Sequence, residues 1–272
     1  MKTLPIEDLL VWAYSDELPK AGAVRRIGPS GHDRGWRPVE RFGDLLADVD
    51  CGVPMNRYGL AIDLMAEDGP HADAVALHEA VLALDDLVLD WPEDWAPLAD
   101  IDDGDPLYVA AVARGRDLAT RLQPDGRRIL ATRPSDLIRR QAILGGAPDT
   151  TAEKPARKVE RAGSGQPMWF MRVRRPMPTV DGGTVMVEME VDGFDRRRRA
   201  PYPQAYQRAY LDPDPAGVVV ARAEYEVWRS GLDMVAATVA LGHHRVLPSR
   251  WPARPWMDGV PAGPRVLMSR PA

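Results

Sequence analysis

Four consecutive arginines, Arg196, Arg197, Arg198 and Arg199, are followed by Tyr202, Tyr206 and Tyr210. Guanidinium groups present forks of N–H donors that match phosphate oxygens, and a tyrosine ring offers a π-face on which an unpaired base can stack. Charge and aromatics at this density therefore point to a nucleic acid. A second adjacent pair, Arg139 and Arg140, falls on the outward side of a helical pattern and could add phosphate contacts. Two facts weigh against this chemistry. The chain holds 31 arginines against 4 lysines, with 26 prolines and 8 tryptophans, the signature of a GC-rich bacterial gene, so an arginine cluster carries less weight here. The four-residue spacing of the tyrosines would also place them on one face of a helix, where an aromatic stripe packs into a core. Their exposure decides between the two.

Other chemistry finds little support. The chain has no GxxxxGK[ST], GxGxxG, GxSxG, HExxH or CxxC, so no cofactor is expected. His32 and Asp33 fall in a glycine- and proline-rich loop and read as solvated. His71 and His78 stand two helical turns apart, about 10 Å along the axis, too far to share an ion. His243 and His244 follow Gly242 at a helix end and are not expected to ligate. The acidic stretch around Asp100, Asp102, Asp103 and Asp105 fails the calcium-loop register: with Gly104 at the sixth position, the first falls on Ala99 and the twelfth on Ala110. No catalytic residue and no metal ligand is assigned. The single cysteine, Cys51, rules out an internal disulfide and fits a reducing compartment. The first residues lack a charged-then-apolar leader, and the expected location is the cytoplasm.

The elements that must position these residues fall into two periods. Up to residue 145 the apolar spacing is helical. Helices are expected over Pro5–Leu18, Val39–Ala47, Asn56–Met65, His71–Leu89 and Pro106–Leu122, and again after Ser135 up to Gly145. Asp105 caps the fifth of these, with Pro106 in its first turn. Residues 146–167 are rich in Pro, Gly, Ser, Thr and charge and read as a linker. The period then becomes two on both sides of Gly182 and Gly183, which is a β-hairpin. A long helix follows over Pro215–Leu241, and a proline-rich tail from 248 to 272 is expected to lie extended.

Charge is also unevenly placed: residues 1–105 hold 8 Lys/Arg against 23 Asp/Glu, and residues 106–175 hold 15 against 6. Such an asymmetry marks either a surface for a charged partner or two segments that face each other.

The sequence thus describes an α+β protein, predominantly α: a helical domain (1–145), a linker (146–167), a β-hairpin packed on a long helix (168–247) and an extended tail (248–272). The expected function is that of a non-enzymatic nucleic-acid-associated accessory or regulatory protein. The alternative is a structural or assembly protein. It would pair with itself or another protein through the stripe Val218, Tyr225, Trp228, Leu232, Val235 and Val239, or through the tail. An enzyme of unassigned class is a third reading, and no membrane partner is expected.

Overall fold

A computed structural model of the chain describes residues 1–22, 55–63, 65, 66, 68–123, 128–257 and 267–269. The fold is mixed α+β, with five α-helices and short strands paired two by two among these residues. Among them no helix is long and apolar enough to cross a membrane. His32, Asp33, Cys51 and the helix expected at Val39–Ala47 lie outside the described residues. The chain divides into two compact units that interleave in sequence. One comprises residues 1–96, 118–150 and 221–272, the other 97–117 and 151–220.

The first unit opens with strand β1 (Lys2–Pro5), which runs parallel to β11 (His244–Leu247). Helix α1 (Ile6–Val11) continues as a π-helical turn over Trp12–Glu17 and a 3-10 turn over Leu18–Lys20, so the expected single helix is three geometries in succession. The helix expected at Asn56–Met65 is instead a turn. The Asn56 side chain accepts the amides of Tyr58 and Leu60 and donates to the Leu18 carbonyl, offering the backbone partners that a helix would otherwise supply. Helix α2 (Ala72–Leu82) passes through a 3-10 turn into β2 (Val88–Asp90), which pairs with β12 (Leu267–Ser269), so the helical pattern ends earlier than its spacing implied. Strands β3 (Thr120–Leu122) and β4 (Arg128–Leu130) form a hairpin ahead of α4 (Pro134–Leu144).

The longest helix, α5 (Ala216–Thr238), carries the centre of this core. Tyr225, Trp228, Leu232 and Val235 are each buried to within 2% of full burial against the same chain, so these four are not available as the seam of a dimer. Their period of three and four is the period of a core-facing stripe. Val218 and Val239, at its ends, are half-buried. Gly231 leaves the helix unbroken, and a Cβ there would meet Ile138 Cδ1 at 2.9 Å. The start of the tail is fastened along α5. The Tyr225 hydroxyl donates to the Pro252 carbonyl (2.8 Å), Arg229 donates to the Trp251 carbonyl (2.7 Å), and the Trp256 ring meets Tyr225 edge-on. Glu226, fully buried, accepts from Arg254 (2.7 Å) and from the Trp95 indole (3.1 Å). A buried charge is tolerated only when satisfied in this way.

The second unit takes in the start of α3 (Pro106–Ala119), whose first turn is capped by Asp105 accepting the Leu107 amide. The stretch read as a linker carries structure: β5 (Ala156–Val159) pairs antiparallel with β10 (Ala209–Asp212), and Arg161 bridges Pro167. Lys154 pairs with Asp103 and Arg157 with Asp105, so part of the basic segment answers the acidic one within this unit. Strands β6 (Phe170–Pro178) and β7 (Thr184–Asp192) form the expected hairpin. Both strands are mostly exposed, so the ribbon does not bury the face that packing on a long helix would require.

Gly115 sits where α3 meets the start of α5: a Cβ there would lie 2.4 Å from Val219 Cβ and 2.9 Å from the Ala216 carbonyl oxygen. An exposed glycine-to-alanine change in a helix stabilises by about 1 kcal/mol, whereas overpacking costs about 1–3 kcal/mol. G115A should therefore lower stability in urea unfolding. An unchanged or higher midpoint would contradict this packing.

Candidate nucleic-acid interface

The four arginines form the tip of a small hairpin. Strands β8 (Phe194–Asp195) and β9 (Ala200–Pro201) pair antiparallel, leaving residues 196–199 as the loop. Asp195 organises the loop: its Oδ1 accepts the amides of Arg197 (2.8 Å) and Arg198 (3.1 Å), an Asx turn that closes the bend. Arg199 adopts a left-handed backbone (φ 54°), a conformation that costs a side-chain-bearing residue about 1 kcal/mol. All four side chains are exposed. Arg196 reaches Asp192 (3.6 Å) and Arg198 reaches Asp195 (3.7 Å), whereas Arg197 and Arg199 have no ion pair among the described residues.

Backbone bonds fix this tip to the base of the β6–β7 ribbon. The Gly193 amide donates to the Trp169 carbonyl, the Tyr202 amide donates to Gly193, and Phe170 and Tyr206 exchange two bonds of 2.8 Å. Gly193 has no room for a side chain: a Cβ would stand 2.8 Å from the Phe170 carbonyl. Arg196 of the tip lines a cavity of about 720 Å³ together with Trp169, Phe170, Phe194 and Arg208, and the carboxylates Glu190 and Asp192 line it too. That volume lies within the range of small-molecule pockets. Arg208 lies over the Phe170 ring (4.3 Å) and grips Glu190 with two bonds of 2.8 and 2.6 Å. This guanidinium holds the Glu190 carboxyl below its ordinary range.

The tyrosines do not form a helical stripe. Tyr202 is 39% exposed in a turn and Tyr210 43% exposed in β10, opposite Lys158. Tyr206, half-buried, accepts from Arg172 (3.3 Å), whose guanidinium also lies over its ring. None of the three lines the cavity. The residues that do, Trp169, Phe170 and Phe194, were passed over in the sequence; the adjacent aromatics at the start of an alternating strand were the signal. Arg139 and Arg140 belong to the first unit and are engaged there. Arg139 donates to the Tyr58 carbonyl (2.8 Å) and nears Asp136, and Arg140 nears Glu224 (3.6 Å).

A second polar group forms in the first unit around Asp73. Its buried carboxylate accepts the amides of Gly242, His243 and His244 (2.8, 2.9 and 3.0 Å) and the His244 ring Nδ1 (2.8 Å). His71 caps α2 by accepting the Asp73 amide on its own Nδ1 (3.0 Å), and its amide donates to Glu17. Trp12 packs against His71 and His244, and the His71 and His243 rings lie 5.0 Å apart. His71, Asp73 and His243 each offer a ligand atom within 4.8 Å of the other two. His78 turns instead to the Tyr14 hydroxyl (3.0 Å), and burial lowers its pKa. No sequence spacing brought His243 and His244 to Asp73, because the pairing runs over about 170 residues.

The chain matches no protein-family model, no curated protein and no solved structure. What its geometry defines is a mixed α+β protein with an arginine-tipped hairpin whose Arg196 lines a cavity with aromatic walls.

Burial alone would raise the Asp73 carboxyl. The His244 bond and the Gly242 and His243 amides outweigh it and hold it at about 2, from an ordinary 3.8. A depressed carboxyl contributes stability that is complete above its unfolded value and disappears as pH falls through the folded one, here from about pH 5 towards pH 2, and the shift is worth about 2 kcal/mol. D73N should lower the unfolding free energy at pH 7 by about 2–4 kcal/mol and flatten that acid limb. Calorimetry across this pH range checks both; a D73N protein with the wild-type acid profile would contradict the clamp.

Proposed function

We propose that this protein is a non-enzymatic accessory factor that binds single-stranded nucleic acid through its arginine-tipped hairpin and the aromatic cavity that Arg196 lines. The observation that carries the reading is a loop whose Arg197 and Arg199 are exposed and without an ion pair among the described residues, and whose Arg196 lines a cavity with Trp169, Phe170 and Phe194. Recognition of unpaired strands needs a cationic track for the backbone and a π-face for the bases. The hairpin supplies the first and the cavity the second. Arg208 contributes position more than charge, since Glu190 already matches it. Tyr202, exposed just beyond β9, extends the aromatic surface.

A protein-binding role is the second reading. The register of the β6–β7 ribbon places Val173, Met177, Val185, Val187 and Met189 on one face, and the last four are exposed. Lone large apolar residues on a surface are ordinary, but a contiguous strip is what a partner covers.

Anisotropy of a labelled oligothymidine across a salt series separates the two. Each phosphate contact to a single strand contributes about −0.7 to the slope of log affinity against log salt. Replacing Arg197 and Arg199 with alanine should flatten the slope by about 1.4. W169A should leave the slope intact and cost about 1–3 kcal/mol of affinity through lost stacking. Absence of binding at low salt, or an unaltered slope in the double variant, would sink the nucleic-acid reading.

A further inference from the structure

We infer that His71, Asp73 and His243 form a binding site for a divalent transition-metal ion, in the first unit and independent of the nucleic-acid reading. The three ligand atoms lie within 4.8 Å of one another, and His243 Nδ1 stands 4.0 Å from Asp73 Oδ1. A tetrahedral ion with bonds of about 2.0–2.2 Å needs its ligands roughly 3.3 Å apart, so the His243–Asp73 pair must close by about 0.7 Å and the widest pair by up to about 1.5 Å. The means to close it is present. The His243 side chain is 74% exposed and can turn, while the Asp73 side chain is only 4% exposed and anchored. Two imidazoles and one carboxylate form a borderline donor set, suited to zinc, cobalt or nickel and poorly suited to calcium or magnesium, which take oxygen.

The surrounding bonds are those that orient a metal carboxylate. Asp73 Oδ2 accepts the ring N–H of His244 and the amides of His243 and His244, and Oδ1 accepts only Gly242, which leaves Oδ1 a lone pair directed elsewhere. Trp12 packs on His71 and His244. Three protein ligands with one of them at the surface leave the fourth position open to water or to a ligand.

One contact opposes the ion. His71 Nδ1 accepts the Asp73 amide as the cap of α2, and coordination removes that acceptor. Losing a cap bond lowers affinity by roughly fivefold, small against the strength of a three-ligand zinc site. The outcome is competition between cap and metal, so metal binding and the start of α2 are linked.

The test uses the full chain stripped with chelator and titrated with Co(II), then with Zn(II) in competition. One equivalent of Co(II) should bind with the strong visible absorption of a four-coordinate ion, and Zn(II) should displace it. H243A should weaken binding at least about tenfold and leave metal-free thermal stability unchanged, because the side chain is exposed. H71A should weaken binding similarly. Absorption resembling hydrated Co(II), or an H243A protein that binds as the wild type does, would overturn the site. The second result would place any bound metal on other residues.

Discussion

A two-stranded ladder has no third strand to brace it, and the second unit is built largely from such ladders. What braces the β6–β7 ribbon at its base is Arg208. Its guanidinium covers the Phe170 ring, holds Glu190 on β7 through two bonds and nears Glu160 (3.7 Å), so one side chain ties together both strands of the ribbon and the segment after β5. The planar fork of arginine can stack and bridge at once, which lysine cannot. The brace also lines the cavity, with Trp169, Phe170 and the turn residues Ser164 and Gln166. With Arg208 answered by acids, it gives the ribbon position more than free charge.

The first unit solves its stability differently. A 23-residue helix buries aromatics along one stripe, with the Glu226 carboxylate and the Tyr225 hydroxyl satisfied beside them and the indole N–H groups of Trp251 and Trp256 left without a hydrogen-bond partner among the described residues. Glu226 takes Arg254 and the Trp95 indole, and the tail supplies carbonyls to Tyr225 and Arg229. Asp73 performs the same service over a longer span, drawing the Gly242–His244 turn onto the start of α2 and so setting the parallel pairing of β1 with β11. Each of these carboxylates is buried because donors converge on it, and each donor comes from a segment far away in the chain.

That distance explains what could be read from the chain and what could not. The β6–β7 hairpin and the apolar stripe of α5 were legible, because periods of two and of three-to-four are local, although the stripe offered to a partner is buried within the chain. The Asp105 cap was legible for the same reason. The turn at Asn56 was not, since an asparagine side chain can replace helical partners without altering the apolar spacing. Residues 146–167 looked like a linker because β5 carries almost no apolar residue; its pairing with β10 depends on backbone bonds and on Lys158 meeting Asp212. At the candidate site the arginines were visible and their geometry was not. Four-residue spacing placed the tyrosines on a helix, whereas prolines at 201 and 203, the turn from Tyr202 to Ala205 and the bridge from Tyr206 to Phe170 keep that stretch out of a helix. The aromatics that wall the cavity come from two separate segments, and only folding brings them together with Arg196.

The central claim is that the tip and the cavity act together on one unpaired strand. Ultraviolet cross-linking of the full chain to an oligothymidine, with adducts mapped by mass spectrometry, tests it most directly. Adducts are expected on peptides containing Trp169, Phe170 or Phe194, suppressed by excess unlabelled single strand and spared by duplex. Adducts confined to the first unit, or adducts on the arginine loop with none at the cavity aromatics, would contradict it.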